Sequence, residues 1–282
     1  MNASKAKRLA LLAGSGHLPL VALENAKKMG FEVLVIALTD QAHKNFKDSR
    51  IPTERVSPGQ VGFCINLLEK RGIKQVLFIG KVEKKALLAG LALDWLAIKE
   101  IVKLKERSDR AIMARSVAIL EEHGFQVLPQ SEFLSTLLAK QGTLGKHRPK
   151  KTALRDFTLA FPLAKRLAEW GVGQTVVLKG GAVVAVEAVE GTDLTIKRAG
   201  ELVGPGITVV KTAQEGYNPK FDMPTVGSHT VQALIEAGGG ALGVEAGATI
   251  LADIKELLAL ADSHKIPIVG LNWGYLGIPG KP

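Results

Sequence analysis

The 282-residue chain predicts an α/β protein: an N-terminal Rossmann-like domain built on a parallel sheet, followed by a C-terminal mixed α+β domain. Three observations predict it. The first half alternates continuous apolar runs with amphipathic stretches, the signature of parallel strands covered on both faces. The second half mixes a glycine-turned pair of β-rich runs with further β-α units. Between them, residues 140 to 155 (KQGTLGKHRPKKTALR) crowd seven cationic or titratable side chains around two glycines and a proline, which reads as an interdomain linker. The expected boundaries are 1–132 for the first domain, 133–150 for the basic linker and 151–282 for the second domain.

In the first domain RLALLAG reads as a strand, and LPLVALENAKKMG as a helix closed by Gly30. FEVLVIAL reads as a second strand, QVGFCINLLEKRG as a helix ended by Gly72, and KQVLFIG as a third strand. The segment 84–106 places Leu87, Leu88, Leu91, Trp95, Ile98, Ile101 and Val102 on one helical face with lysines beside it. Core packing is the leading reading of that face, and contact with acyl chains or a membrane interface the sharper one. DRAIMARSVAILEEHG, with Ser108 as its N-cap, is a helix, and FQVLP a strand. In the second domain FTLAFPLAKRLAEWG is a helix. TVVLKGGAVVAVEAVEGTDLTIKRAG reads as antiparallel strands turning at Lys179-Gly180-Gly181 and again at Glu190-Gly191-Thr192-Asp193. GITVVKTA, GSHTVQALIEAGG, GALGVEAGATIL, DIKELLALADSHK and PIVGLN continue as β, α, β, α and β.

Composition limits the function. The formal charge is +10, with 21 basic against 14 acidic side chains in residues 1–132 and 16 against 13 in the remainder. That balance favours anionic partners: nucleic acid, an anionic membrane surface or a phosphorylated metabolite. Aromatic residues make up only 5% of the chain and no stacking motif is present, which argues against nucleic acid. No apolar run is long enough to span a bilayer, and the N-terminus does not read as a signal peptide, so a soluble cytoplasmic protein is expected. Cys64, the single cysteine, lies among apolar residues at helical spacing and reads as a buried inert thiol.

AGSGHLP at 13–19 follows the first strand and opens the first helix, where backbone N–H groups of Gly14, Ser15 and Gly16 could cradle a phosphate. Pro19 stands where a dinucleotide fingerprint wants its third glycine, while Asp40 stands near the place of a ribose-binding acid. A ligand-free turn is equally compatible with this pattern. A Walker lysine motif is missing. The six histidines show no paired-ligand spacing, whereas Glu187, Asp193, Asp222 and Glu245 are oxygen donors of the kind magnesium uses. Asp222 sits in QEGYNPKFDMPTVG, where Pro224 holds Met223 out of the helical region. Its carboxylate could favour the following helix terminus or do chemistry, and spacing alone leaves both open.

LLAGSGHLPL, FIGKV at 78–82, VAVEAVEGTD at 184–193, QEGYNPKFDMPTVGSHTV at 214–231 and GVEAGATIL at 243–251 occur in an order and spacing that covers nearly the whole chain. In these segments the sequence resembles the LpxI family, the UDP-2,3-diacylglucosamine pyrophosphatases of lipid A biosynthesis. The resemblance implies a two-domain hydrolase that cleaves the pyrophosphate bond with water, giving UMP and 2,3-diacylglucosamine 1-phosphate (lipid X). It implies a need for Mg2+, with Mn2+ as the alternative. It makes Asp222 the catalytic acid and a metal ligand together with Asp193. It makes Gly14 and Gly16, with Ser15 between them, and Glu190, Gly191 and Thr192 the contacts to substrate, and Lys81 is an available cation for the substrate's phosphates. Such an enzyme would be cytoplasmic, touch the cytoplasmic face of the inner membrane to reach its lipid nucleotide, and bind no nucleic acid; a homodimer is left open. The competing class is an NAD-dependent dehydrogenase or nucleotide-binding module using the AGSGHLP turn and Asp40.

Overall fold

The computed structural model describes residues 7–47, 50–82, 93–104, 109–214 and 216–280. Leu87, Leu88, Leu91 and the expected cap Ser108 lie outside them. The chain forms two compact units: residues 1–135 with 218–222, and residues 136–217 with 223–282.

The first unit holds a five-stranded parallel sheet of β1 (Lys7–Ala13), β2 (Phe31–Ala37), β3 (Thr53–Arg55), β4 (Gln75–Ile79) and β5 (Gln126–Val127), in the order β3-β2-β1-β4-β5. This is the strand order of a doubly wound sheet, with its direction of winding reversed beside β1. Side chains alternate between the two faces. Ala10, Leu12, Leu34, Ile36, Val76 and Phe78 share a core with Cys64, Leu68, Val117 and Leu120 of the Val61–Lys70 and Asp109–Glu122 helices. Leu9, Leu11, Val35 and Leu77, on the other face, are buried too, and the Leu18–Lys28 helix packs on the sheet with Ala22, Leu23 and Ala26 buried. The short strand β3 and the Asp40–Lys47 helix were not legible in the sequence: three residues and eight mostly polar ones give hydrophobic periodicity too little to register.

The second unit holds β6 (Gly142–Thr143), β7 (Thr175–Lys179), β8 (Ala182–Val186), β9 (Thr208–Lys211), β11 (Ala241–Glu245) and β13 (Ile268–Leu271), in the order β6-β13-β11-β9-β7-β8. The strands β9, β11 and β13 run parallel, while β6, β7 and β8 pair antiparallel. A separate pair, β10 (Thr225–Val226) and β12 (Ile250–Leu251), is parallel. Phe157, Ala160 and Phe161 of the Lys151–Glu169 helix cover one face, meeting Val176, Leu178, Val210, Val269 and Leu271. Ile196, Val231 and Leu257, from three further helices, cover the other, meeting Val177, Val209, Leu242, Val244 and Ile268.

The β7–β8 hairpin turns at Gly180 and Gly181, whose φ values of 59° and 86° suit glycine in both positions of a type I′ turn. Buried Asp156 accepts the Gly181 N–H at 2.7 Å and fixes that turn to the neighbouring helix. The second expected turn is different. Residues Thr192–Val203 form a helix, not a strand, with Thr192, Thr195, Ile196 and Ala199 buried. Their spacing is helical, and it outweighs the β preference of Thr and Ile in TDLTIKRAG because only a helix puts all four against the sheet. The basic stretch expected as linker contains β6, and the helix after it begins at Lys151 rather than Phe157.

Candidate functional site

In the first unit the loops that leave β1 and β4 cross in backbone contact. Gly14 N–H donates to Ile79 O at 2.8 Å, Ser15 N–H to Lys81 O at 2.8 Å, and Lys81 N–H to Ser15 O at 3.0 Å. A Cβ on Gly14 would lie 2.7 Å from the carbonyl carbon of Gly80, and one on Gly80 2.8 Å from that of Gly14. These glycines therefore have a structural reason to be there: two chains can approach so closely only where neither carries a side chain. The N–H groups of Gly14 and Ser15, read from sequence as a phosphate cradle, are occupied by this crossing. Ser15 Oγ bonds Thr39 Oγ1 at 3.1 Å, Gly16 follows at φ 103°, and Lys81 is exposed. Asp40, the dehydrogenase reading's ribose acid, is held in an ion pair by Arg55.

The turn 218–222 packs on this first unit, although it lies far along the chain. Asn218 O accepts the N–H groups of Phe221 (3.1 Å) and Asp222 (2.9 Å), Asn218 Oδ1 accepts that of Lys220, and Pro219 O accepts Gln130 N–H at 2.7 Å. Lys220 pairs with Glu121, and Gln130 Nε2 reaches Phe78 O at 2.9 Å. Phe221 then joins Leu12, Phe78, Met113 and Cys64 in lining a mostly apolar cavity of about 160 Å³ at the carboxyl end of the sheet. Asp222 comes next. Its carboxylate is half-buried, with the Arg110 guanidinium 3.6 Å away, and burial raises its pKa more than Arg110 lowers it. The acid beside the first turn of the Ser228–Glu236 helix is instead Asp193, whose Oδ1 accepts Thr230 Oγ1 at 2.9 Å.

The second unit gathers a buried polar cluster. Lys211, at the carboxyl end of β9, donates to Thr192 Oγ1 at 3.0 Å and to Thr225 O at 3.1 Å, and Thr192 Oγ1 donates to Glu187 Oε1 at 3.0 Å. Burial lowers the Lys211 pKa, opposed by the charges of Glu187 and Asp193. Glu190 faces Arg198 at 2.6 Å and Thr195 Oγ1 at 3.2 Å; a backbone N–H and then the guanidinium hold its carboxyl below the usual range. Gly191 is the residue before the helix, and its carbonyl accepts Thr195 N–H. Glu245 accepts both Lys165 Nζ (3.0 Å) and Ala213 N–H (2.6 Å).

The structure thus brings Thr192, Asp193 and Glu190 into one helix start, and Gly14, Ser15, Gly16 and Lys81 to one crossing. Asp222 and Asp193 belong to different units, and among the described residues no group of three or more His, Cys, Asp or Glu could hold a metal ion. Sequence reasoning missed Lys211 and Arg110. Lys211 had a signal: a lysine closing the apolar run ITVV at the end of a strand. Arg110 had none, since its pairing depends on a contact 112 residues away.

The five-stranded parallel sheet with helices packed on it, and the mixed sheet of the second unit, define an α/β protein. Residues 8–137 match the family model of the LpxI N-terminal domain, and residues 140–269 that of the LpxI C-terminal domain. A protein of Caulobacter vibrioides, described as UDP-2,3-diacylglucosamine pyrophosphatase LpxI, is 26% identical over 279 residues, spanning 94% of this chain and 98% of that protein. The chain belongs to the LpxI family.

Proposed function

We propose that this protein hydrolyses the pyrophosphate bond of UDP-2,3-diacylglucosamine, producing UMP and 2,3-diacylglucosamine 1-phosphate for lipid A synthesis. The observation that carries the reading is the half-buried Asp222, facing Arg110 and directly following the Phe221 that lines an apolar cavity. An ionised Asp222 accepts a proton from water as the water oxygen bonds to phosphorus and the bridging P–O bond breaks. Arg110 offers a fixed cation for the charge that gathers on the phosphate oxygens. Lys81, Gly16, Glu190, Gly191 and Thr192 are the remaining proposed substrate contacts.

Magnesium, or manganese, suits the donor chemistry. Asp222 is a half-buried oxygen anion 3.6 Å from the Arg110 guanidinium, and burial raises its pKa more than that cation lowers it, so a hard cation there would further favour the ionised form. Asp222 is the carboxylate proposed to bind it; Asp193, expected from the resemblance as a second ligand, lies in the other unit and accepts the Thr230 hydroxyl. When bound, such a cation neutralises phosphate charge and lowers the pKa of water. Among the described residues no helix is long and apolar enough to cross a membrane; the proposed place of work is the cytoplasmic face of the inner membrane, where the lipid nucleotide resides. The test is direct: purified protein with UDP-2,3-diacylglucosamine and magnesium should release UMP. Intact substrate after prolonged incubation with folded protein would refute the proposal.

A further inference from the structure

The Trp95–Lys103 helix carries an unusual outward face. Trp95 is 79% exposed, Ile98 41% and Val102 74%. Their spacing of three and four residues places them in one stripe. Lys99 and Lys103 are exposed along the adjoining stripe. The helix contains a single acid, Glu100, and it is turned inward: its side chain is 7% exposed and engaged by Arg115 and Lys103, each at 2.7 Å. Among the described residues, the outward face of this helix therefore carries apolar groups and the Lys99 ammonium, with Lys103 at its end paired to Glu100 and no exposed carboxylate on the helix.

A second helix extends this surface. Asp94 Oδ1 accepts Ala97 N–H at 3.0 Å as the cap of the Trp95–Lys103 helix, while its Oδ2 accepts Gly62 N–H at 2.6 Å and Phe63 N–H at 3.1 Å in the first turn of Val61–Lys70. One carboxylate thus ties the two helix starts together, and Phe63, whose N–H it accepts, is 53% exposed. The Asp94 carboxylate satisfies one first-turn N–H of the Trp95–Lys103 helix and two of the Val61–Lys70 helix.

We infer that this face, Phe63, Trp95, Ile98 and Val102 with Lys99 and Lys103, docks on an anionic lipid surface. The inference rests on the proposed function, which needs access to an amphiphilic substrate. A tryptophan and aliphatic side chains enter the headgroup region while lysines alongside reach the lipid phosphates. A second copy of the chain is disfavoured as occupant because two such faces would oppose lysine to lysine. The expected binding is weak and charge-dependent, each lysine contributing roughly a fivefold factor, and it falls with added salt.

Flotation with vesicles tests this, using phosphatidylcholine alone and phosphatidylcholine mixed with phosphatidylglycerol. The full chain should float with the mixed vesicles at low salt and not with the neutral ones. A Trp95→Ser/Val102→Ser variant should lose that binding, and Lys99→Glu should weaken it at least fivefold. Both variants should keep the wild-type melting temperature and wild-type UMP release from short-chain, dispersed substrate. Wild-type protein that fails to float would overturn the inference even if it releases UMP, and variants that float normally would overturn it too. A change of oligomeric state in the Trp95→Ser/Val102→Ser variant would make the face a protein interface instead.

Discussion

Replacing Asp222 with Asn keeps the shape of the side chain and removes its charge, which separates the chemical from the structural role. On stability the structure gives opposing terms. The ion pair with Arg110, at 3.6 Å with both side chains more than a third exposed, contributes at most a few tenths to about 1 kcal/mol after solvent screening. Against this, burial raises the carboxyl pKa, so holding the charged form in the folded state is itself costly. Asp222→Asn should therefore change stability by less than about 1 kcal/mol at neutral pH. A raised acid pKa means the folded state binds the proton more tightly. Its stabilising effect is present at low pH and fades as pH rises through the folded pKa, and that slope should vanish in the variant. Turnover should respond differently. If Asp222 takes the proton from water or holds the metal, UMP release should fall by roughly two or more orders of magnitude while substrate binding persists. The wild-type rate should also rise with pH along a limb above the ordinary aspartate range, because the carboxylate must be ionised. The assay pairs thermal melts with UMP release over a pH series, with exposed Glu201→Ala as the control. Asp262 is unsuitable as the control because its carboxylate accepts the Lys146 N–H at 2.8 Å. An Asp222→Asn protein with normal turnover would refute the assignment of the residue to the active site.

Gly14→Ala should destabilise the first unit by about 3 kcal/mol, since its Cβ meets backbone rather than movable side chain at 2.7 Å; an unchanged melting temperature would disprove the crossing as the reason for glycine. Cys64, whose thiol burial pushes up to about 12, should resist alkylation at pH 8 and react only on unfolding, and rapid labelling of native protein would contradict that. Chelation with EDTA should stop UMP release and added magnesium should restore it, whereas full activity in excess chelator would remove the metal from the mechanism.

Much of the fold was legible because its strands are continuous apolar runs and its helices end at glycines such as Gly30, Gly72 and Gly124. What periodicity could not convey was long-range placement. The EGTD segment carries residues that favour both strand and helix, and only the burial of Ile196 and Ala199 against the sheet decides for helix. Asp222 was singled out by its motif, yet its neighbour Arg110 and its unit were not inferable from nearby residues. Gly14 looked like a ligand-binding glycine because a phosphate turn and a close chain crossing demand the same residue for the same steric reason.

The return of residues 218–222 to the first unit makes the halves of this protein inseparable by a single cut. A fragment ending at Ser135 would lack Phe221 from its cavity wall, leave Glu121 without Lys220, and strand the Gln130 N–H that Pro219 O now receives. Such a piece would keep its sheet and lose Asp222, the acid proposed for catalysis. If Asp222 is the catalytic acid, a gene that ends at the first break between the units would encode the sheet without it, so an exchange of these units would have to carry residues 218–222 along with residues 1–135.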